Sequence, residues 1–266
     1  MPFPYTDAHG ELNFEADFIA LLQQSGWEKQ VLRNYTVEDL IANWRQILFE
    51  RNRAVLHGVP LSDDEMQRVL DSLRQYADTP VKANHFLGSA ERGLAVRRDR
   101  DSKDTAHAGK EVYLNLFRAR EIAGGSSRYQ IAEQTQFVST HPNYPDRRGD
   151  ITLLIDGIPV IQIELKASGV DVFEAATQIQ KYTKENIFKG FMSLVQVFWA
   201  ISPEDALYFA NPGGADRFNP AFFFHWGDRD NHIIRDWREL ITGPSHILSF
   251  KPEDKPRLTD EFMAKI

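Results

Sequence analysis

The sequence contains no cysteine. Disulfides, thiolate-held metals and a cysteine nucleophile are thereby excluded, and the absence suits a reducing, cytoplasmic setting. No apolar run reaches the roughly 18 residues that cross a bilayer, so no membrane association is expected. The opening MPFPYTDAHG lacks the basic and apolar regions of a secretory signal. Positive charge is not in excess: 31 Lys and Arg stand against 38 Asp and Glu, a net charge of −7. A uniformly basic nucleic-acid binder is disfavoured. A local basic face is not, because phosphates respond to the local field. No G-x-x-x-x-G-K-[ST] phosphate loop occurs.

What is present reads first as helix, then as sheet. FEADFIALLQQSGW places Phe14, Phe18, Leu21 and Leu22 on one helical face, with Gly26 as its stop. Thr36 with Asp39, and Ser62 with Glu65, have the spacing of helix N-caps, which predicts an antiparallel helical pair. From about Ala95 the apolar period becomes two, and EVYLNLF, YQIAEQTQFVS, DITLLI and PVIQIEL read as strands. VFEAATQIQKYTKENIF is a helix with Asp171 as N-cap. LVQVFWAIS, ALYFA and AFFFHW are further strands, and the Phe222-Phe223-Phe224 run is expected to be buried. A short helix is expected near Asp236–Leu240. The sum is an α/β or α+β fold with a mixed sheet.

Three charges stand on the apolar hairpin GDITLLIDGIPVIQIELKAS: Asp150, Glu164 and Lys166. Their convergence depends on the turn. A two-residue Asp156-Gly157 loop pairs Ile155 with Ile158 and turns Asp150 away. A three-residue loop pairs Leu154 with Ile158 and Asp150 with Gln162, and brings the charges together. The three-residue loop is the one expected here, with Gly157 at positive φ. Two neighbouring carboxylates repel unless a cation lies between them. Mg²⁺ takes oxygen ligands and tolerates a phosphate as one of them, and a nearby Lys orients a water or stabilises phosphate charge. The set suits metal-assisted phosphodiester hydrolysis.

These residues resemble the Asp…Glu-x-Lys motif of the PD-(D/E)xK nucleases. RRGDITLLIDGIPVIQIELKASG, followed by EAATQIQKY, is similar to the N-terminal nuclease domain of the restriction (R) subunit of type I restriction–modification enzymes. That family also carries Gln-x-x-x-Tyr on the next helix, here Gln178 to Tyr182. The resemblance implies a restriction-endonuclease-like sheet of about five strands flanked by helices, Mg²⁺ as cofactor, and double-stranded DNA as substrate. It implies Asp150 and Glu164 as metal ligands, with the backbone carbonyl of Leu165 and, from the first helix, Glu15. Lys166 would position the water, and Gln178 and Tyr182 would lie beside the site. It further implies methyltransferase and specificity subunits as partners, and an ATP-binding motor beyond this chain.

The expected organisation is a nuclease domain over 1–250, a helical hairpin insertion at 30–90, and a linker at 251–266 leading toward that motor. From Arg92 to Arg148, eleven Lys and Arg face seven Asp and Glu. Arg97, Arg98, Arg100, Lys103, Arg147 and Arg148 make a candidate basic rim, with Lys181 and Lys184 on the motif helix; Arg147, Arg148 and Lys181 are the expected DNA contacts. His225, His232 and His246 lack metal-site spacing and read as structural. Gly124-Gly125-Ser126-Ser127 reads as a turn. Two other functions fit the same fold: a catalytically silent DNA-binding or docking module, and a stand-alone repair or resolvase-type nuclease.

Overall fold

Helix α1 (Gly10–Gln24) is followed by strand β1 (Val31–Arg33) and helices α2 (Val37–Arg51), α3 (Asp63–Tyr76) and α4 (Pro80–Gly88). Strands β2 (Leu94–Arg97) and β3 (Glu111–Leu114) form a separate antiparallel ribbon. Then come β4 (Tyr129–Phe137), β5 (Arg147–Ile155), β6 (Ile158–Leu165), α5 (Val172–Lys184), β7 (Val197–Ile201), β8 (Ala206–Ala210), β9 (Phe224–His225) and α6 (Arg238–Thr242). This computed structural model describes residues 3–7, 9–88, 93–116, 127–139, 141–228 and 230–243. The linker-like tail, His246 and most of the Gly124–Ser127 turn fall outside those residues.

The sheet has seven strands in the order β1-β4-β5-β6-β7-β8-β9. Five of its strands, β4 to β8, fall on expected stretches, and β1 and β9 add short edges; EVYLNLF instead supplies β3 of the separate ribbon. The order is mixed because β6 and β7 are parallel and need a crossover, which α5 supplies. Thr36 and Ser62 complete capping boxes, and Asp171 accepts a hydrogen bond from Phe173 N–H, as their spacing predicts.

Each face of the sheet carries an apolar layer. Trp44 and Leu48 of α2, Val69 and Leu73 of α3, and Ile179 of α5 meet Leu154 and Phe198 on one side. Phe14, Phe18 and Leu22 of α1 and Leu240 of α6 meet Ile151, Ile163 and Trp199 on the other. Arg45 of α2 pairs with Asp63 of α3 at 2.6 Å, and each helix also packs on a strand. Helix α2 lies on β4, α3 lies on β2, and both meet the 3-10 turn Gly190–Leu194.

Two expectations are corrected. The Phe222-Phe223-Phe224 run is not a buried strand. Asn219 caps a 3-10 turn at Pro220–Phe222, only Phe224 and His225 pair with β8, and Phe222 and Phe224 are 64% and 52% exposed. Apolar composition alone does not separate a core strand from an edge. The hairpin turn is the second. Ile155 pairs with Ile158 across a two-residue Asp156-Gly157 loop, both residues having positive φ, 51° and 81°. A bulge then shifts the register by one residue, so that Leu154 pairs with Pro159 but Leu153 with Ile161. Gln162 therefore faces Thr152 rather than Asp150.

The turn is buried under α2. Arg51 pairs with Asp156 at 2.6 Å, and Asp156 accepts Arg128 N–H at 3.0 Å. A Cβ on Gly157 would lie 3.0 Å from both Trp44 Cα and Ile47 Cδ1. Gly157→Ala combines a positive φ with a backbone contact. It is expected to lower stability by about 1–3 kcal/mol, read as a lower urea midpoint at unchanged slope.

Candidate active site

The β5–β6 ladder stops at Ile151–Ile163, whereas Glu164 and Leu165 stay paired with Ala200 and Ile201 of β7. Beyond that point β5 peels from β6, and Asp150 turns its carboxylate across the gap. Its Oδ2 accepts Leu165 N–H at 2.7 Å, in place of a main-chain acceptor. The expected convergence of charges is thus met by a different route. The two-residue loop alone would turn Asp150 away; the bulge restores its parity with Glu164, and the end of the β5–β6 ladder lets its carboxylate reach the Leu165 amide.

Glu164 is fully buried. Its Oε1 accepts from Gln162 Nε2 at 3.1 Å and its Oε2 from Gln178 Nε2 at 2.7 Å. Gln162 Oε1 in turn accepts from Thr152. Gln178 also accepts from Lys166 Nζ at 3.0 Å, so one amide links the lysine to the carboxylate. Tyr182, one helical turn on, receives a hydrogen bond from Gln178 and donates to the carbonyl of Arg148 on β5. The α5 motif therefore spans both strands. Gly149 is required beside it: a Cβ there would stand 2.6 Å from Gln162 Nε2 and 3.2 Å from Glu164 Oε1.

Helix α1 closes the other side. Its N-terminal turn, one turn earlier than the apolar pattern suggests, brings Glu11 to 3.6 Å from Lys166 Nζ. Glu15 is buried and accepts from Gln134 Nε2 at 2.7 and 2.5 Å. Gln134 holds a left-handed φ of 56° in the middle of β4, a conformation seldom seen away from glycine and concentrated at functional sites. Glu11, Gln134 and Gln162 are members that the sequence reading missed. Glu11 stands four residues before Glu15 and Gln162 two before Glu164, so helix and strand periods carried a signal. Nothing local marks Gln134.

Burial dominates the electrostatics. It raises Asp150 to about 6 and Glu15 to about 7, and lifts Glu164 well above the usual carboxylate range, with the Asp150 charge adding to the last. Among the described residues, no Lys or Arg forms an ion pair with Asp150 or Glu164. Two hard oxygen donors that repel each other are a suitable set for a hard divalent cation, which would remove the repulsion. The residues present fit Mg²⁺ by donor chemistry.

The expected basic contacts divide. Arg148 and Lys181 are exposed near the site. Arg147 is held by Glu185 through two bonds of 2.6 and 2.7 Å, which fills its guanidinium fork. Arg98 is buried and pairs with Glu65 at 3.1 Å, so it belongs to the core and not to a rim. A cleft of about 650 Å³ opens beside Gln178 and Tyr182, with Lys181 on its wall. His225 and His232 pair with Asp205 and Asp228, in keeping with a structural role.

Residues 13–217 match the family described as the type I restriction enzyme R protein N terminus. The chain is 30% identical over 243 residues to the type I restriction enzyme SsaAORF53P endonuclease subunit of Staphylococcus saprophyticus, covering 89% of this chain and 23% of that protein. It is 30% identical over 227 residues to the SauMSSORF170P endonuclease subunit of Staphylococcus aureus strain MSSA476, covering 84% and 22%. With the EcoprrI endonuclease subunit of Escherichia coli it shares 28% over 232 residues, covering 86% and 68%. The chain thus spans less than a quarter of the staphylococcal relatives' length.

The raised carboxylates set a pH dependence. An acid whose folded pKa exceeds its unfolded one favours the fold when protonated. Stability is therefore lost as pH rises from about 4 through about 6. For Asp150, moving from 3.8 to about 6, the loss is on the order of 3 kcal/mol. In chelator at pH 8, Glu164→Gln is expected to raise Tm by about 2–4 °C for each kcal/mol of repulsion relieved. Mg²⁺ should raise the wild-type Tm at pH 8 and leave that variant unchanged, both read by thermal denaturation.

Proposed function

The chain belongs to the type I restriction enzyme R protein N-terminal family, and on that premise we propose that it is the Mg²⁺-dependent nuclease part of a restriction subunit, hydrolysing phosphodiester bonds of unmodified double-stranded DNA. The observation that carries the reading is the pairing of half-buried Asp150 with fully buried Glu164 without an ion-paired Lys or Arg among the described residues, with Lys166 fixed beside them by Gln178. Asp150, Glu164 and the Leu165 carbonyl would hold the metal, with Glu15 backing them through Gln134. The ion would supply charge neutralisation at the phosphate and a more acidic water.

The side chains do the positioning. Gln178 holds the lysine ammonium by its carbonyl and Glu164 by its amide, so the cation and the acid keep a set spacing. Lys166, 13% exposed, orients the attacking water and offsets charge on the phosphate. Tyr182 fixes Gln178 and ties it to β5. Arg148 and Lys181 meet the DNA backbone, contacts that position without reading sequence. Sequence choice would then fall to a specificity subunit, self-marking to a methyltransferase subunit, and ATP-driven translocation to a motor elsewhere in the subunit.

The deciding measurement is calorimetric titration of Mg²⁺ into the protein with duplex DNA, wild type against Glu164→Ala. One site, lost in the variant and strengthening from pH 6 to pH 8 as Asp150 ionises, is the expected result. No binding, or binding indifferent to Glu164, leaves the silent DNA-binding module instead. In the assembled enzyme, Lys166→Ala is expected to keep that Mg²⁺ site while cleavage falls by about 10²-fold or more, read by linearisation of a plasmid substrate.

A further inference from the structure

His57, Asp104 and His107 meet where the connection after α2 touches the β2–β3 loop, away from the carboxylate site. His57 Nδ1 lies 3.0 Å from Asp104 Oδ1, and His107 Nδ1 lies 2.8 Å from Asp104 Oδ2. The imidazoles stack with centroids 4.3 Å apart and planes 22° apart. Two ring nitrogens are thus aimed at the two oxygens of one carboxylate, and the three donor atoms lie within 4.8 Å of one another.

The carboxylate is the unusual member. Asp104 is 3% exposed, and among the described residues no Lys or Arg pairs with it. A carboxylate that accepts two N–H bonds is held in its charged form. Its partners are two imidazoles rather than a Lys or Arg, a donor set that a metal cation can share. The framework around it is set in advance. Asp104 N–H donates to Ser102 Oγ, His107 N–H to Asp104 O, and Lys110 N–H to His107 O. His57 is held at a left-handed φ of 48°, a strained conformation for a side-chain-bearing residue. The His57 and His107 side chains keep 49% and 28% exposure, which leaves an ion a path inward.

We propose that His57, Asp104 and His107 bind a divalent transition-metal ion of the Zn²⁺ class through two nitrogens and one oxygen, with water completing the coordination. Moving each ring proton from Nδ1 to Nε2 frees the nitrogen lone pair, so neutral rings bind without losing protons. Two imidazoles and a carboxylate suit Zn²⁺ or Co²⁺, whereas the all-oxygen set at Asp150 and Glu164 suits Mg²⁺. The ion would join the α2–α3 connection to the β2–β3 loop, residues 47 positions apart in sequence.

The test is titration of Co²⁺ into the full chain carrying Glu164→Ala, followed by its visible d–d absorption. One equivalent of an absorbing, Zn²⁺-displaceable complex is expected, and adding His57→Gln should weaken it by about 10–100-fold or more. On the wild-type protein, Zn²⁺ should also protect His57 and His107 from diethylpyrocarbonate, mapped by mass spectrometry, while His9 and His141 stay reactive. That arm holds even if the His57 variant does not fold. No absorption, absorption indifferent to His57→Gln, or no protection of the two rings would overturn the proposal.

Discussion

Two like-charged carboxylates at the end of a buried strand are the constraint around which this structure is arranged. Asp150 and Glu164 lie in a setting that disfavours their charge, and no arginine or lysine is paired with either among the described residues. What they have instead is a ring of neutral donors: Gln162, Gln178 and the Leu165 amide. Such donors hold carboxylates in place without neutralising them, which leaves the charge for a ligand. The separation of β5 from β6, the glycine at 149 and the motif on α5 all follow from that arrangement.

The same hairpin holds a second fully buried acid that is treated in the opposite way. Asp156 is fully buried, yet it meets Arg51 at 2.6 Å and the Arg128 amide. That acid is spent on structure, since it locks the turn beneath α2. Residue type and burial are alike at Asp156 and Glu164; the partners differ. An acid left unneutralised at a buried strand end is the feature that supports a catalytic reading, and the family match to restriction subunits is consistent with it.

Much of the fold was legible because it rests on local periods. The helix caps at Thr36, Ser62 and Asp171, the five long strands and the positive φ of Gly157 follow from spacing and residue type. The errors have a common cause. The turn length failed because a bulge at Pro159–Val160 restores the parity that a two-residue loop removes. The Phe222–Phe224 run failed because burial depends on what lies above a strand. Arg98 failed as a rim residue because Glu65 reaches it from another element, whereas Arg147, though held by Glu185, still lines the cleft beside Gln178.

The sequence by itself determined which chemical groups are present and which lie one helical or strand period apart: Glu164 with Lys166, and Gln178 with Tyr182. Those relations depend on backbone geometry alone. Only the tertiary structure decided which groups meet across elements: Glu11 with Lys166, Gln134 with Glu15, and His57 with Asp104 and His107. Such meetings are set by how strands separate and loops cross. Packing over the whole chain fixes those positions, and no short stretch of residues records them.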